Sequence, residues 1–247
     1  MVMREKNREN ICIILAKANS KGLKNKNIIS FNGKPMLYHT INPILKSQIF
    51  DKIIVSTDSR KIQSLAYKFG AEAPFLRPKK LAKDNSPEID SWRHAIIFLK
   101  KKMNLHPDYI VSVPTTSPLR RISDINKCIQ KAIRNKLDVV FAVTPSSRNP
   151  YFNMFEERKG KLNILSKTGL AWSFKNKKIN RRQDAPNCFD LTTTCYVFKP
   201  NFVMQTNDLF SGKVGFVKVP KERAIDIDDK FDYKIANFLA SDKKNGL

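Results

Sequence analysis

The run Ile11–Leu15 is continuously apolar and reads as a strand buried on both faces. A polar loop, 16–27, follows it. Asn32-Gly33 marks a turn, and Pro35 opens a helix predicted to run to about Lys46. Residues 52–57 (KIIVST) form the next strand. Asp58-Ser59 ends it and caps a helix to about Phe69, with Gly70 just beyond. Residues 72–75 read as a short strand, 76–87 as a loop and Glu88–Met103 as a helix. Then come a strand at 109–113, a loop at 114–121, a helix started by Ser123-Asp124 and ending near Asn135, and a strand at 138–143. Repeated strand–helix units with short connections predict an α/β fold: a mostly parallel sheet with helices on both faces. The polar loops follow apolar strands and so gather along one sheet edge, where such folds place their sites.

The rhythm changes after Thr144. Segments 151–155 and 161–165 alternate around Gly and Lys, which predicts a β-rich excursion over about 145–180. That excursion suits an arm for a partner subunit. Regular structure resumes with strands at 191–198 and 214–219 and a last helix at 231–240. With no repeat and no low-complexity linker, residues 1–247 read as one domain carrying an inserted arm.

Composition narrows the classes. Apolar residues make up 41% of the 247 positions and include 16 Phe, too many for a disordered chain. No apolar run approaches the ~18 residues of a membrane span. The first ten residues are polar and the apolar stretch behind them is short, so no export signal is visible and a cytoplasmic location is expected. Cys12, Cys128, Cys188 and Cys195 form no C-x-x-C, and His39, His94 and His106 add no metal-ligand spacing. They are expected to be buried, reduced thiols. The formal charge is +24, from 46 basic and 22 acidic side chains. Residues 1–123 carry 23 basic and 9 acidic groups, and residues 124–247 carry 23 and 13. An excess so evenly spread reads as a solvated basic surface rather than a nucleic-acid arm, and it suits a small polyanionic substrate.

Two segments carry chemistry. The loop 16–27 (AKANSKGLKNKN) holds four lysines and one glycine beside a sheet edge. Backbone N–H and ammonium groups there can wrap a triphosphate, although the loop is neither a Walker A motif nor a G-x-G-x-x-G fingerprint. Asp226-Ile227-Asp228 follows an apolar strand, and in extended chain the two carboxylates face one side. Such a pair suits a hard cation such as Mg²⁺. Together they suggest metal-assisted nucleotidyl transfer.

The loop resembles the motif A-R-x-x-S-K-G-x-x-x-K-N of the CMP-sialic acid synthetase (acylneuraminate cytidylyltransferase) family. The resemblance continues in order through FNGKPMLYHTI (31–41), FDKIIVSTDS (50–59), the FLRP–LA–D segment (75–84), PTTSPLR (114–120), RRQDAP (181–186) and RAIDID (223–228). It implies a Rossmann-like domain, a homodimer exchanging arms, and CTP with Mg²⁺ as cosubstrate and cofactor. It also implies transfer of CMP to the anomeric hydroxyl of a nonulosonic acid, with release of pyrophosphate. Carried over residue by residue, it implies a nucleotide site of Ala16, Lys17, Asn19, Ser20, Lys21, Lys26, Asn27, Arg77 and Ser86. Lys21 would meet the phosphates and Arg77 would lie near the cytosine. Asp226 and Asp228 match the metal ligands and, with Lys21, the catalytic set. Thr115, Thr116, Arg120, Arg182 and Gln183 match the acceptor side, with Arg120 partly structural.

Three departures stand out. Lys17 replaces the family's Arg, keeping the charge but losing the planar fork. Pro114-Thr115-Thr116 replaces Q-P-T, and the segment 190–196 (DLTTTCY) replaces N-G-A-I-Y. The last two lie on the acceptor side and point to a modified acid of the legionaminic type. The nearest rival is a 3-deoxy-manno-octulosonate cytidylyltransferase. A basic RNA-binding module would need clustered basic and aromatic residues on one sheet face, and none is evident. The expected partners are therefore CTP and a nonulosonic acid, with neither nucleic acid nor membrane.

Overall fold

The computed structural model describes residues 9–165 and 181–242. Its centre is a six-stranded sheet of β1 (Ile11–Leu15), β4 (Lys52–Ser56), β5 (Ile110–Ser112), β6 (Val139–Pro145), β9 (Phe189–Phe198) and β10 (Val214–Lys218), in the order β10-β6-β9-β5-β1-β4. β1 pairs in parallel with β4 and β5, and β10 with β6. β9 runs antiparallel between β5 and β6. This is the predicted mostly parallel, Rossmann-like sheet with one reversed strand. Two short hairpins complete the strands: β2 (Ser30–Phe31) with β3 (Lys34–Pro35), and β7 (Phe155–Arg158) with β8 (Lys161–Ile164).

Strand alternation divides the core. Cys12 and Ile14 point to one face and meet α1 (Met36–Ser47), α2 (Arg60–Lys68) and α4 (Ile122–Arg134) through Leu37, Ile41, Ile62, Ala66, Ile125 and Cys128. Ile11 and Ile13 point to the other face, against Trp92, Ala95, Ile96 and Leu99 of α3 (Glu88–Met103) and Val203 of α5 (Pro200–Gln205). A third cluster lies beneath the loops at the carboxyl edge of the sheet. There Leu23, Leu119 and Ile227 pack with Phe31, Met36 and the buried Ala236 and Ala240 of α6 (Lys230–Asp242). Burying such side chains is worth about 1.5–3 kcal/mol each, so this cluster fixes loops that would otherwise be free to move.

Local chemistry accounts for most boundaries. Ser59 caps α2, its hydroxyl accepting the Ile62 N–H at 3.3 Å, and Gly70 takes φ 89° beyond the helix end. The Asn32-Gly33 turn has φ 46° and 78°, as a two-residue hairpin requires. Some expectations are corrected. Residues 72–75 form no ladder, only isolated bridges from Glu72 to Ile54 and from Leu76 to Thr57. Pro74 sits between the bridges and offers no N–H. α4 starts at Ile122 rather than at a Ser123-Asp124 cap: Asp124 sits in its first turn and accepts the Arg121 N–H at 3.1 Å. Cys12, Cys128 and Cys195 are buried free thiols, whereas Cys188 is half-buried. Of the predicted arm, β7 and β8 form a hairpin turned by Lys159-Gly160 at φ 50° and 72°. Residues 166–180, including Trp172, lie outside the described residues. No described helix is long and apolar enough to cross a membrane.

Candidate active site

A cleft of about 580 Å³ opens at the carboxyl edge of the sheet. One side is the lysine loop that follows β1. Its base is tied down by the Ala16 N–H to the Ser56 carbonyl at 3.0 Å and by the Ala18 N–H to the Asp58 carboxylate at 2.8 Å. Leu23 roots it in the third core cluster. The segment after β10 is rooted in the same cluster by Ile227, fully buried between Asp226 and Asp228. The two segments touch at Gly22, where a β-carbon would collide with the Asp228 carbonyl oxygen. Only glycine permits that approach. The Ile227 N–H donates to the Thr116 carbonyl at 2.9 Å, binding the loop after β5 into the same unit.

Paired charges line the cleft. Lys26 Nζ lies 2.7 Å from Asp228 Oδ1, and Asp84 lies 2.8 Å from Lys17 and 3.6 Å from Lys21. The Lys17 hydrogen bond, joined by the charges of both lysines, holds the Asp84 carboxyl below the usual carboxylate range. Burial raises the Asp226 carboxyl. Hydrogen bonds from Thr116 and Thr193 oppose that rise, and the Asp228 charge adds to it. Asp226 Oδ1 is buried with no hydrogen-bond partner. Glu88, the first residue of α3, faces the cleft with its carboxyl pushed up to about 7. The surrounding protein mass is the largest cause of this rise; the Arg77 charge opposes it and the Asp226 charge reinforces it. The side chain itself is exposed to solvent in the open cleft. Arg77 is 5% exposed, and its Nε is buried without a partner. Desolvation lowers its pKa, against the charges of Asp58 and Glu88.

Twelve residues singled out or bracketed by the motifs meet here: Lys17, Ser20, Lys21, Gly22, Lys26, Asn27, Arg77, Ser86, Thr115, Thr116, Asp226 and Asp228 all line the cleft. Asn27 lines it with its amide committed to the protein. Nδ2 donates to the Lys17 carbonyl at 2.7 Å, and Oδ1 accepts the Thr115 hydroxyl. Other expected site residues stand apart. Ala16 is buried at the end of β1, and Asn19 points to solvent. Arg120 lies beneath the cleft and not in its lining: its guanidinium donates to the Pro114 carbonyl, to Thr193 O at 3.3 Å and to Thr40 Oγ1 at 3.2 Å. Enclosure there lowers its pKa to about 10. It supports the loop, which was half of its expected role. Arg182 and Gln183 belong to a short helical turn, Arg182–Asp184, and Gln183 is exposed and not among the described residues that line the cleft.

Asp84, Glu88 and Thr193 also line the cleft and went unassigned in the sequence. Glu88 reads as an ordinary first-turn acid of a helix. Thr193 lies where β9 slips register against β6, between the Phe141–Tyr196 and Val143–Leu191 pairs, and no pattern in TTT announces that bulge. Its hydroxyl is 2.7 Å from Ser117 Oγ and 3.2 Å from Thr116 Oγ1.

A lysine-rich loop and a carboxylate pair at the carboxyl edge of a Rossmann-like sheet define a nucleotide-dependent transferase of the α/β class. Residues 11–232 match the cytidylyltransferase family model, and the chain belongs to that family. It is 33% identical to post-translational flagellin modification protein B of Campylobacter coli, over 95% of this chain and 96% of that protein. It is also 33% identical to the CMP-N,N'-diacetyllegionaminic acid synthase of Campylobacter jejuni, over 94% of this chain and 95% of that one. In fold it is similar to a CMP:2-keto-3-deoxy-manno-octonic acid synthetase solved with CTP, with a TM-score of 0.70, 12% identity, and coverage of 95% of this chain and 99% of that one.

Proposed function

We propose that this enzyme transfers CMP from CTP to the anomeric hydroxyl of a nonulosonic acid, releasing pyrophosphate, with an acceptor of the legionaminic type. The observation that carries this reading is the locking of Asp226-Ile227-Asp228 against the lysine loop through Gly22 and one shared core. That unit brings three ammonium groups and two carboxylates to one cleft. Lys17, Lys21 and Lys26 would hold the triphosphate in line for attack at the α-phosphorus. Arg77 and Ser86 would hold the nucleoside, and Thr115 and Thr116 would face the acceptor.

The carboxylate pair fits Mg²⁺. Asp226 presents a buried, unpartnered oxygen, and Asp228 is held by an ammonium group that a cation can replace. Among the described residues no group of three or more His, Cys, Asp or Glu could hold a metal, so the remaining oxygens would come from phosphate and water. When bound, Mg²⁺ would polarise phosphate oxygens and neutralise charge on the leaving pyrophosphate. The use of CTP fits a cytoplasmic location. The arm would serve a homodimer, with Arg182 and Gln183 acting at the partner's site.

The test is pyrophosphate release from CTP with N,N'-diacetyllegionaminic, pseudaminic, N-acetylneuraminic and 3-deoxy-manno-octulosonic acids as acceptors. Turnover with the nonulosonic acids, highest with the first, is expected. Turnover confined to the octulosonic acid would move the enzyme to the rival branch.

A further inference from the structure

Four acids line the cleft, and three of them are engaged by the protein. Asp84 pairs with Lys17 and Lys21, Asp228 pairs with Lys26, and Asp226 is held by Thr116 and Thr193. Among the described residues, the Glu88 carboxylate has neither a hydrogen bond nor an ion pair. It faces the cleft from the first turn of α3, close enough to Arg77 that the two charges act on each other. Arg77 is itself buried, with an Nε–H that donates to nothing. The cleft is therefore lined by a guanidinium and an unpaired carboxylate whose charges act on each other.

That pair has a chemical complement. Cytosine presents an acceptor edge, N3 and O2, beside its exocyclic amine, which donates. Uracil presents a carbonyl oxygen where cytosine has the amine, and an N–H where cytosine has N3. We propose that Glu88 is a specificity-determining residue of this enzyme: its carboxylate accepts from the cytosine amine while Arg77 donates to the adjacent ring acceptors, and uracil is rejected because its O4 would face the carboxylate. Adenine shows the same acceptor–donor pair, so Glu88 separates CTP from UTP rather than pyrimidines from purines. The inference rests on the cytidylyl-transfer reading and adds to it the residue that selects the base.

The experiment is equilibrium binding of CTP, UTP and inorganic tripolyphosphate to the full chain with Mg²⁺ and without acceptor, for wild type, Glu88→Gln and Glu88→Ala. Wild type should prefer CTP over UTP by about 100-fold or more, the scale on which a polar site rejects a mismatched analogue. Glu88→Gln, whose amide can donate to O4, should bring that ratio to about tenfold or less, with tripolyphosphate affinity unchanged. Retained tripolyphosphate binding and an unshifted melting midpoint establish that each variant is folded. If Glu88→Ala fails that criterion, Glu88→Ser replaces it. A CTP/UTP ratio within threefold of wild type in the folded variants overturns the inference and leaves cytidylyl transfer standing. So does a loss of turnover with the binding ratio intact, which would put Glu88 on the acceptor side. A wild type that binds tripolyphosphate but no nucleotide preferentially overturns both readings.

Discussion

Asp226 and Asp228 differ in surroundings as much as in position. Asp226 is desolvated and hydrogen-bonded by threonines, whereas Asp228 is 72% exposed and held by Lys26. Asp228→Ala should leave Ile227 in the core and the protein folded, and turnover should fall by roughly 10²–10³, since a metal contributes several kcal/mol at phosphorus and about 1.4 kcal/mol is tenfold. Near-normal kcat at saturating Mg²⁺ would remove Asp228 from the metal site. Lys17 tests the other side of the cleft. It lies against Asp84, which a triphosphate would replace. Lys17→Ala should weaken CTP use by about 1–3 kcal/mol, the scale of a charge-assisted hydrogen bond, and Lys17→Arg should retain it. Unchanged KM and kcat in Lys17→Ala would show that this end of the loop does not touch phosphate. The i, i+2 spacing of the two aspartates and the density of lysines made these groups legible in the sequence. Glu88 and Thr193 were not, because their roles depend on which elements lie opposite them.

The elements that hold the site are joined by one ion pair outside the cleft. Arg223, just before the carboxylate segment, donates twice to Asp124 at 2.9 Å, and Asp124 is 1% exposed in the first turn of α4. Removing one partner of a buried pair costs about 3 kcal/mol at the lower end of the observed range. Asp124→Ala should therefore lower the melting temperature by roughly 6–12 °C at the ~2–4 °C per kcal/mol typical of this size. A change below about 2 °C in thermal unfolding would show that Arg223 finds an equal partner elsewhere. Helix and strand positions were readable from periodicity because each element buries one face or two. The reversal of β9 was not: an antiparallel strand enclosed between two neighbours has the same apolar run as a parallel one. Residues 72–75 misled for the opposite reason, since apolar content suggested a strand where Pro74 interrupts the ladder.

At the scale of the whole molecule, the arm leaves apolar side chains uncovered. Phe155 is 56% exposed, and Phe152 and Met154 are each 36% exposed around the β7–β8 hairpin. Covering such a side chain is worth about 1.5–3 kcal/mol before association costs. A homodimer of about twice 28.4 kDa is expected in sedimentation at micromolar concentration. Deleting residues 149–176 should give a monomer that binds CTP but transfers CMP poorly. A fully active wild-type monomer would refute the arm's role without touching the chemistry. The chemistry is tested most directly by ³¹P NMR of CTP incubated with the enzyme, Mg²⁺ and N,N'-diacetyllegionaminic acid. One phosphodiester resonance of a CMP-sugar should grow with one equivalent of pyrophosphate per CTP consumed, and only when the acceptor is present. Release of CDP and orthophosphate, or consumption of CTP that ignores the acceptor, would contradict cytidylyl transfer.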